Sequence, residues 1–418
     1  MLPTITEQIF EAHCGKRAVP GDLVTAKIDL LLANDVTAPI AIDELERAGI
    51  DRVFDPSKLV LVADHMVPSK DIMAANLCKK MREFARKHGA KYYECGWGGI
   101  EHALLPEEGL VLPGMFVVGA DSHTCTYGAL GCFATGVGST DLAAALALGE
   151  LWFKVPQSMK LSFNGKVGRA LMGKDLMLFA ISSIGVDGAT YLALEIEGSA
   201  IGRLSVDGRL SMCNMAIEAG AKSGIMVPDE KTIRYVNSRT RKPFKIYRSG
   251  PDSEYVETFE FDVSKIEPQV ALPHSPGNAK PVSEVEGIEV DQVVIGSCTN
   301  GRMEDMRAAA KILHGRRVHP RIRCIVIPAT QRIYLQALRE GLIETFVKAN
   351  AAVSTPTCGP CLGMHMGVLG EGETAISTTN RNFVGRMGHK SSKVYLASPL
   401  TAAATAVEGK ISDPRCYL

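Results

Sequence analysis

The stretch VVIGSCTNGRMEDMRAAAKILH, residues 293–314, contains the pattern that decides the fold. Its first four residues form a short apolar run typical of a buried strand, and residues 304–314 have the spacing of an amphipathic helix. Further apolar runs of this kind lie at 59–63, 115–120, 324–328 and 394–397. Strands that alternate with helices predict an α/β fold with mainly parallel strands.

Two longer helices are predicted between these strands. The first begins after Ser69 as its N-cap and ends near Gly89, and its apolar positions share one face: Ile72, Met73, Leu77, Met81 and Phe84. The second covers residues 331–350. Polar and proline-bearing segments near 154–159 and 247–285 predict the domain boundaries. We expect three α/β domains, at 1–156, 157–270 and 271–418.

Composition limits the classes of function. The chain has 418 residues with 46 Lys and Arg against 46 Asp and Glu, so it carries no net charge. It therefore lacks the overall positive charge typical of proteins that bind nucleic acid or anionic membranes, and neither partner is expected.

The first residues contain acids and no apolar signal region, and no apolar run reaches the ~18 residues of a membrane span. Eleven cysteines, an odd number, indicate reduced thiols. A cytoplasmic location is expected.

Polar side chains follow several of the apolar runs directly. Asp64 and His65 follow 59–63, and further such residues are Asp121, Ser122, His123, Cys298, Asn300, Asn380, Arg381, Asn382 and Arg386. In α/β sheets, ligands bind beyond the carboxyl ends of the strands, so these side chains are predicted to form one site. Taken singly, an aspartate at a strand end is often a helix cap, and a lone histidine is more often a structural residue.

Three cysteines have the spacing of a metal centre. Cys358 and Cys361 form a C-x₂-C turn in the sequence CGPC, and Cys298 follows another predicted strand. A cubane iron–sulfur cluster held by three thiolates would leave one iron open to act as a Lewis acid. Two other hypotheses remain open: a thioredoxin-like redox pair, and a zinc site whose fourth ligand is Cys324, His365 or His389.

The remaining residues fit elimination of water from a carboxylated substrate. Arg381 and Arg386 can bind a carboxylate, and a histidine paired with an acid can protonate a departing hydroxyl. Asn214 and Glu218 are spaced i, i+4 and are predicted to share a face of a short helix, where they could hydrogen-bond the cluster and orient a histidine. The alternative for that pair is a solvated helix face.

Seven motifs carry a resemblance to a known family. They are DHMVPSKD at 64–71, GIEH at 99–102, GADSHTCTYGALGCFATGVGSTD at 119–141, NMAIE at 214–218, GSCTNGRMEDM at 296–306, TCGPCLGMHMG at 357–367 and TTNRNFVGRMG at 378–388. The motifs occur in order along the chain, and the match covers nearly its whole length. The sequence thus resembles the aconitase superfamily, and most closely its isopropylmalate isomerase branch and the similar archaeal homoaconitases.

The resemblance implies a fold, a cofactor and residue roles. It implies three α/β/α domains around a central cleft, and one 4Fe–4S cluster per subunit, held by Cys298, Cys358 and Cys361 with one iron not ligated by protein. The catalytic residues it implies are Asp64 with His65, His102 with Asp121, and His123 with Glu218. It places a second group of residues at the substrate or beside the cluster: Ser122, Asn214, Asn300, Arg381 and Arg386.

The resemblance also implies an activity and a partner. The activity is a hydro-lyase reaction of leucine biosynthesis, which interconverts 2-isopropylmalate and 3-isopropylmalate through isopropylmaleate; homoaconitate and 2,3-dimethylmalate are alternative substrates. Pro39 stands where single-chain aconitases have a glutamine, which counts against citrate. In the family, a swivelling domain supplies a serine base and further arginines, and no segment up to Leu418 resembles it. A separate small subunit is therefore expected, in a heterodimer or heterotetramer. An alternative of another class is an RNA-binding regulator in the cluster-free form.

Overall fold

A computed structural model describes residues 2–418 of the chain. Its helices, within that range, are Ile5–Cys14 (α1), Ala38–Arg47 (α2), Ile72–His88 (α3), Glu101–Glu107 (α4), Ser139–Leu148 (α5), Gly173–Ile184 (α6), Val206–Asn214 (α7), Glu230–Asn237 (α8), Ser297–Asn300 (α9), Met303–Leu313 (α10), Gln331–Arg339 (α11), Leu342–Lys348 (α12) and Pro399–Glu408 (α13). No helix in this range is long and apolar enough to cross a membrane.

The strands form four sheets. In chain order they are Leu23–Lys27 (β1), Leu30–Asn34 (β2), Leu59–Val62 (β3), Lys91–Tyr93 (β4), Phe116–Gly119 (β5), Phe133–Gly136 (β6), Glu150–Lys154 (β7), Ser158–Asn164 (β8), Ala193–Glu197 (β9), Ser223–Ile225 (β10), Thr258–Asp262 (β11), Gln269–Ala271 (β12), Ala279–Pro281 (β13), Gln292–Gly296 (β14), Arg323–Ile327 (β15), Ala352–Val353 (β16), Thr374–Ser377 (β17) and Lys393–Ala397 (β18).

Three of the sheets are mainly parallel. The first has the order β4-β3-β2-β5-β6, the second β10-β9-β8-β11, and both are parallel throughout. The third has the order β13-β12-β18-β17-β14-β15-β16, in which only β12 runs antiparallel to its neighbours, β13 and β18. Strands β1 and β7 form a separate antiparallel pair. The predicted α/β class with mainly parallel strands is confirmed.

Each sheet draws its strands from one of the three predicted segments, with one exception. Strand β12 covers 269–271 and therefore crosses the predicted boundary between residues 270 and 271. The division into three domains stays a prediction.

Apolar packing joins the sheets into a continuous body. One buried cluster contains Leu32 of the first sheet, Leu161 of the second and Val294 of the third. Burial of this kind stabilises a fold by ~25 cal/mol per Å² of apolar surface. Strands β3 and β5 of the first sheet and β14 and β17 of the third are therefore held in a fixed relation. Their carboxyl ends carry the polar residues described below.

Two helix predictions differ from the structure in detail. The segment 331–350 forms two helices because Gly341 takes a left-handed conformation with φ of 72° between α11 and α12. Helix α3 begins after Asp71, not Ser69, since the Asp71 side chain accepts from the backbone N–H of Ala74. Its predicted apolar face is wrong at the start: Ile72 is 81% exposed and Met73 55% exposed.

A partly buried ion pair ties α1 to the first sheet and predicts a pH dependence of stability. His13 Nε2 lies 2.7 Å from Asp29 Oδ2. Burial opposes both charges, but the mutual hydrogen bond prevails, so the pKa of His13 is raised and that of Asp29 is lowered. The contribution of Asp29 to the free energy of unfolding is present above pH 3.8 and is lost as pH falls through its folded pKa. The contribution of His13 is complete below pH 6.5 and is lost as pH rises through its folded pKa.

The pair should therefore stabilise the fold most between pH 3.8 and 6.5. We expect His13→Gln to lower the free energy of unfolding by roughly 1 kcal/mol in that window and by less at alkaline pH, because the pair is partly solvent-screened. Urea unfolding of both proteins across pH measures this. A difference that grew with rising pH would contradict it.

Candidate active site

The turn after β14 places Cys298. Gly296 has φ of 142°, and a Cβ atom there would lie 2.3 Å from the carbonyl oxygen of Ile327 on the adjacent strand β15, so only glycine fits. Ser297 follows with φ of 77° and starts the short helix α9. This sharp turn directs Cys298 beyond the carboxyl end of the third sheet.

Cys298, Cys358 and Cys361 line one cavity of about 210 Å³ between the first and third sheets. Its other lining residues are Asn34, Val36, Thr37, His65, Ile100, His102, Ala120, Asp121, Ser122, His123, Leu362, Asn380, Arg381 and Arg386. The strand-end residues of separate predicted segments thus do converge. Four of the predicted site residues are buried behind the wall of the cavity and do not line it: Asp64, Asn214, Glu218 and Asn300.

Two asparagines surround the sulfur atoms. Asn214 Nδ2 lies 3.4 Å from Cys298 Sγ, and Asn380 Nδ2 lies 3.3 Å from the same sulfur. Asn380 Oδ1 lies 3.5 Å from Cys361 Sγ. The two amide N–H groups that face Cys298 Sγ would stabilise a thiolate there, which fits a metal ligand, whereas Asn380 Oδ1 accepts from the Cys361 thiol.

The alternative fourth zinc ligands do not reach this cavity. Cys324 is buried within the core of the third sheet, His365 Nε2 lies 2.7 Å from the carbonyl oxygen of Pro68, and His389 Nδ1 lies 2.7 Å from Ser391 Oγ. None of the three lines the cavity. The donor set present, three thiols without a fourth cysteine, fits a three-cysteine iron–sulfur cluster better than a closed structural zinc site.

Asp64 and His65 form a pair at the end of β3. His65 Nδ1 lies 2.6 Å from Asp64 Oδ1. Asp35 shapes their turn, because its carboxylate accepts the backbone N–H groups of Asp64, His65 and Met66. Burial opposes a charge on the imidazole, but Asp64, Asp35 and Asp121 outweigh it and hold the pKa of His65 well above its usual value. These carboxylates thus favour the protonated form of His65 on the cavity wall.

Asp121 connects the three histidines. His102 Nε2 lies 2.8 Å from Asp121 Oδ1, the backbone N–H of His123 donates to the same oxygen at 2.8 Å, and His65 Nε2 is 3.8 Å from Asp121 Oδ2. Burial would raise the pKa of Asp121, but His102 and His123 hold it well below its usual range. Burial also lowers the pKa of His102. The neighbouring imidazoles therefore favour the ionised form of Asp121, while burial favours the neutral form of His102.

A second group holds Arg381 in place. Glu218 Oε1 accepts from Arg381 Nε at 2.8 Å and lies 2.9 Å from His123 Nε2. Ser122 Oγ lies 3.0 Å from Arg381 Nη1. The Nε of Arg386 is buried without a hydrogen-bond partner among the described residues. Both guanidinium groups face the cavity, where they can bind carboxylates.

Asn214 and Glu218 do not share a helix. Helix α7 ends at Asn214, and Glu218 lies in the following 3₁₀ turn Ala216–Ala219. The prediction of one helix face is wrong, since the chain turns at Met215. Asn214 nevertheless contacts Cys298, and Glu218 binds His123. Asn300 donates to Asp305 at 2.9 Å.

Sequence reasoning missed the cavity-lining residues Asn34, Val36, Thr37, Ile100, Ala120 and Leu362, and four further residues that position the site. Glu101 is fully buried, with its Oε1 2.9 Å from Asn34 Nδ2 and 3.6 Å from His102 Nε2. The others are Asp35, Tyr127 and Arg302. A signal existed for Asp35, which follows the apolar run LLLAN, and for Glu101, which adjoins His102 in GIEH. Tyr127 and Arg302 gave no signal, because their roles depend on contacts across the fold.

Tyr127 and Arg302 fix the position of His102. The Tyr127 hydroxyl lies 3.2 Å from His102 Nδ1 and also 3.2 Å from the carbonyl oxygen of Glu101. Arg302 donates to the carbonyl oxygen of His102 at 3.1 Å and to that of Thr299 at 3.0 Å. The helix that carries His102 is thus joined to the turn that carries Cys298.

Tyr127→Phe tests this positioning role. Loss of the hydroxyl leaves His102 Nδ1 without its partner, so we expect turnover to fall about 10-fold and the free energy of unfolding to fall by about 1 kcal/mol. Steady-state kinetics and urea unfolding measure the two effects. Tyr255→Phe is the control, since its hydroxyl contacts Glu195 at 3.0 Å, away from the cavity. Equal turnover in both variants would contradict the role.

Comparison with known proteins gives one family. The model of the family described as "Aconitase family (aconitate hydratase)" matches residues 7–287 and 279–409. Among similar curated proteins, the 3-isopropylmalate dehydratase large subunit of Heliobacterium modesticaldum is 62% identical, over 99% of both chains. Those of Moorella thermoacetica and Thermodesulfovibrio yellowstonii are 61% and 60% identical, over 98% of each chain. The crystal structure of Thermococcus kodakaraensis aconitase X (holo-form) has a TM-score of 0.49 at 12% identity and covers 86% of this chain and 84% of that one.

Proposed function

This chain belongs to the aconitase family, and from that membership we propose that it is the large subunit of a 3-isopropylmalate dehydratase. The reaction is the interconversion of 2-isopropylmalate and 3-isopropylmalate by dehydration to isopropylmaleate and rehydration, a step of leucine biosynthesis. The observation that carries the proposal is the 60–62% identity to proteins of that name over 98–99% of their length. The eleven free cysteines fit a reducing cytoplasm.

The family implies a 4Fe–4S cluster, and we assign its ligands to Cys298, Cys358 and Cys361. All three sulfurs face one cavity, and asparagine amides lie at hydrogen-bonding distance from two of them. When bound, the cluster would supply a Lewis acid through the one iron that this chain does not ligate. The substrate and the histidines would share the cavity with it.

His65 is the proposed acid for the departing hydroxyl. Its Nδ1 is bonded to Asp64, which favours the protonated imidazole, so Nε2–H is the proton that it can give to the departing hydroxyl in the cavity. Asp64 then stabilises the imidazole that gave the proton and favours its reprotonation. In the reverse direction, hydration, the same histidine receives the proton from water.

Arg381 and Arg386 are the proposed carboxylate sites. Glu218 and Ser122 fix the orientation of Arg381 before substrate enters. The unpartnered buried Nε of Arg386 leaves a donor for a ligand oxygen. The apolar part of the cavity wall, which includes Val36, Ile100 and Leu362, suits a branched alkyl group more than a third carboxylate.

We further propose that activity needs a small subunit, as the words "large subunit" in the relatives' names imply. That subunit would carry the swivel domain and the base that removes the carbon-bound proton, in a heterodimer or heterotetramer. No residue of this chain is assigned to the base.

The test is an anaerobic assay of the chain alone and with its co-expressed small subunit. The proposal expects a brown protein with iron and labile sulfide, and turnover only in the pair, with 2- and 3-isopropylmalate preferred over homoaconitate, 2,3-dimethylmalate and citrate. An iron-free preparation would overturn the cluster assignment. A pair that preferred another acid would overturn the substrate but leave the hydro-lyase class intact.

A further inference from the structure

Lys174 is a fully buried cation with no acidic partner. It lies in the first turn of α6, and its side chain is 0% exposed. Its Nζ donates to the carbonyl oxygens of Thr378, at 2.8 Å, and of Thr379. Among the described residues it forms no ion pair with a carboxylate. The neighbouring Asp175 accepts the backbone N–H groups of Met172 and Gln269 instead.

This arrangement is costly unless another charge lies nearby. Buried charges in proteins are paired or bind metals, because two carbonyl dipoles replace the hydration of an ammonium group poorly. The pKa of Lys174 reflects the cost, since burial lowers it to about 7. A negatively charged group that binds close to Nζ would remove the cost.

The contacts of Lys174 lead directly to the cysteine ligands. Thr379 precedes Asn380, whose Nδ2 lies 3.3 Å from Cys298 Sγ and whose Oδ1 lies 3.5 Å from Cys361 Sγ. A cubane core held by three thiolates has a net negative charge. The ammonium group is therefore bonded to the backbone directly before Asn380, which contacts two of the proposed cluster ligands, and Lys174 itself does not line the substrate cavity.

We propose that Lys174 is a buried counter-charge of the iron–sulfur cluster, in addition to Arg386 on the cavity wall, and helps to set the cluster's reduction potential. This inference rests on the proposed function, because it needs the cluster. Net charge and hydrogen bonds near a cluster are main determinants of its potential. A nearby cation stabilises the reduced, more negative form, so its removal lowers the potential.

Three variants test the inference. Lys174→Met removes the charge, Lys174→Gln removes it but keeps a donor for the two carbonyl groups, and Lys174→Arg keeps it. Lys231→Met is the matched control, because Lys231 Nζ also donates to backbone carbonyls, those of Gly202, Arg203 and Leu204, none of which lines the cavity. Each protein is reconstituted anaerobically, assayed for iron and sulfide, and titrated with dithionite while EPR spectra are recorded.

We expect a lower midpoint potential in the Met and Gln variants, a value near that of the wild type in Lys174→Arg, and no shift in Lys231→Met. If only the charged variants hold a cluster, the charge is needed for binding and the inference stands. The inference is overturned if Lys174→Met or Lys174→Gln has normal iron and sulfide and an unshifted potential. It is also overturned if Lys174→Arg, like the two neutral variants, fails to bind a cluster. A wild-type protein without a cluster overturns the proposed cofactor and this inference together.

Discussion

Replacing Cys358 with serine is expected to remove the iron–sulfur centre and all dehydratase activity. Cys358 begins the turn that also carries Cys361, and its backbone N–H donates to the carbonyl oxygen of Asp64. With two thiolates left, a cubane cluster loses one of its three protein anchors. Iron and sulfide analysis, the visible spectrum and turnover with the small subunit measure the loss.

Cys324→Ser separates this effect from general damage to a buried thiol. Cys324 is 3% exposed, close to the 6% of Cys358, but it lies in the core of the third sheet and does not line the cavity. We expect this variant to lose some stability and to keep iron and activity. A Cys358→Ser protein with full iron and sulfide content would refute the ligand assignment.

His65→Ala is expected to keep the cluster and lose dehydration. General acid catalysis contributes typically ~10²–10⁴-fold, so turnover should fall by that amount. The side chain lines the cavity without being one of the proposed cluster ligands, so iron, sulfide and colour should match the wild type. Single-turnover formation of isopropylmaleate, followed anaerobically in the ultraviolet, measures the step.

His314→Ala is the control for loss of an imidazole. His314 is exposed at the end of α10 and lies outside the site. Its variant should turn over like the wild type. Wild-type turnover in His65→Ala, with the cluster intact, would show that another group supplies the proton.

Much of the fold could be predicted because the strands are short apolar runs with clear ends. Strands β3, β5, β14, β15 and β18 lie within one or two residues of their predicted positions. The residues that follow β3, β5, β14 and β17 converge because parallel strands present their carboxyl ends at one edge. The break between α11 and α12 was not predicted, since Gly341 ends α11 through its own backbone conformation and not through a change in apolar pattern.

The outer shell of the site could not be predicted from spacing. Glu101 adjoins His102 in the chain, yet its burial against Asn34 depends on the packing of α4 against β2. Arg302 joins the backbone of His102 to that of Thr299 across about two hundred residues of sequence. Lys174 reaches the backbone of Thr378 in the same way.

The sequence by itself determined the α/β class, the three cysteines and the acid–histidine composition of the site. Local apolar runs specify strands, and the residue types at strand ends are written in the chain. Only the tertiary structure decided which charges are buried and which partners they have. Three carboxylates raise the pKa of His65, two imidazoles lower that of Asp121, and Lys174 has no carboxylate partner. A pKa and a buried charge depend on distance and on the exclusion of water, and both arise only when separate segments pack together.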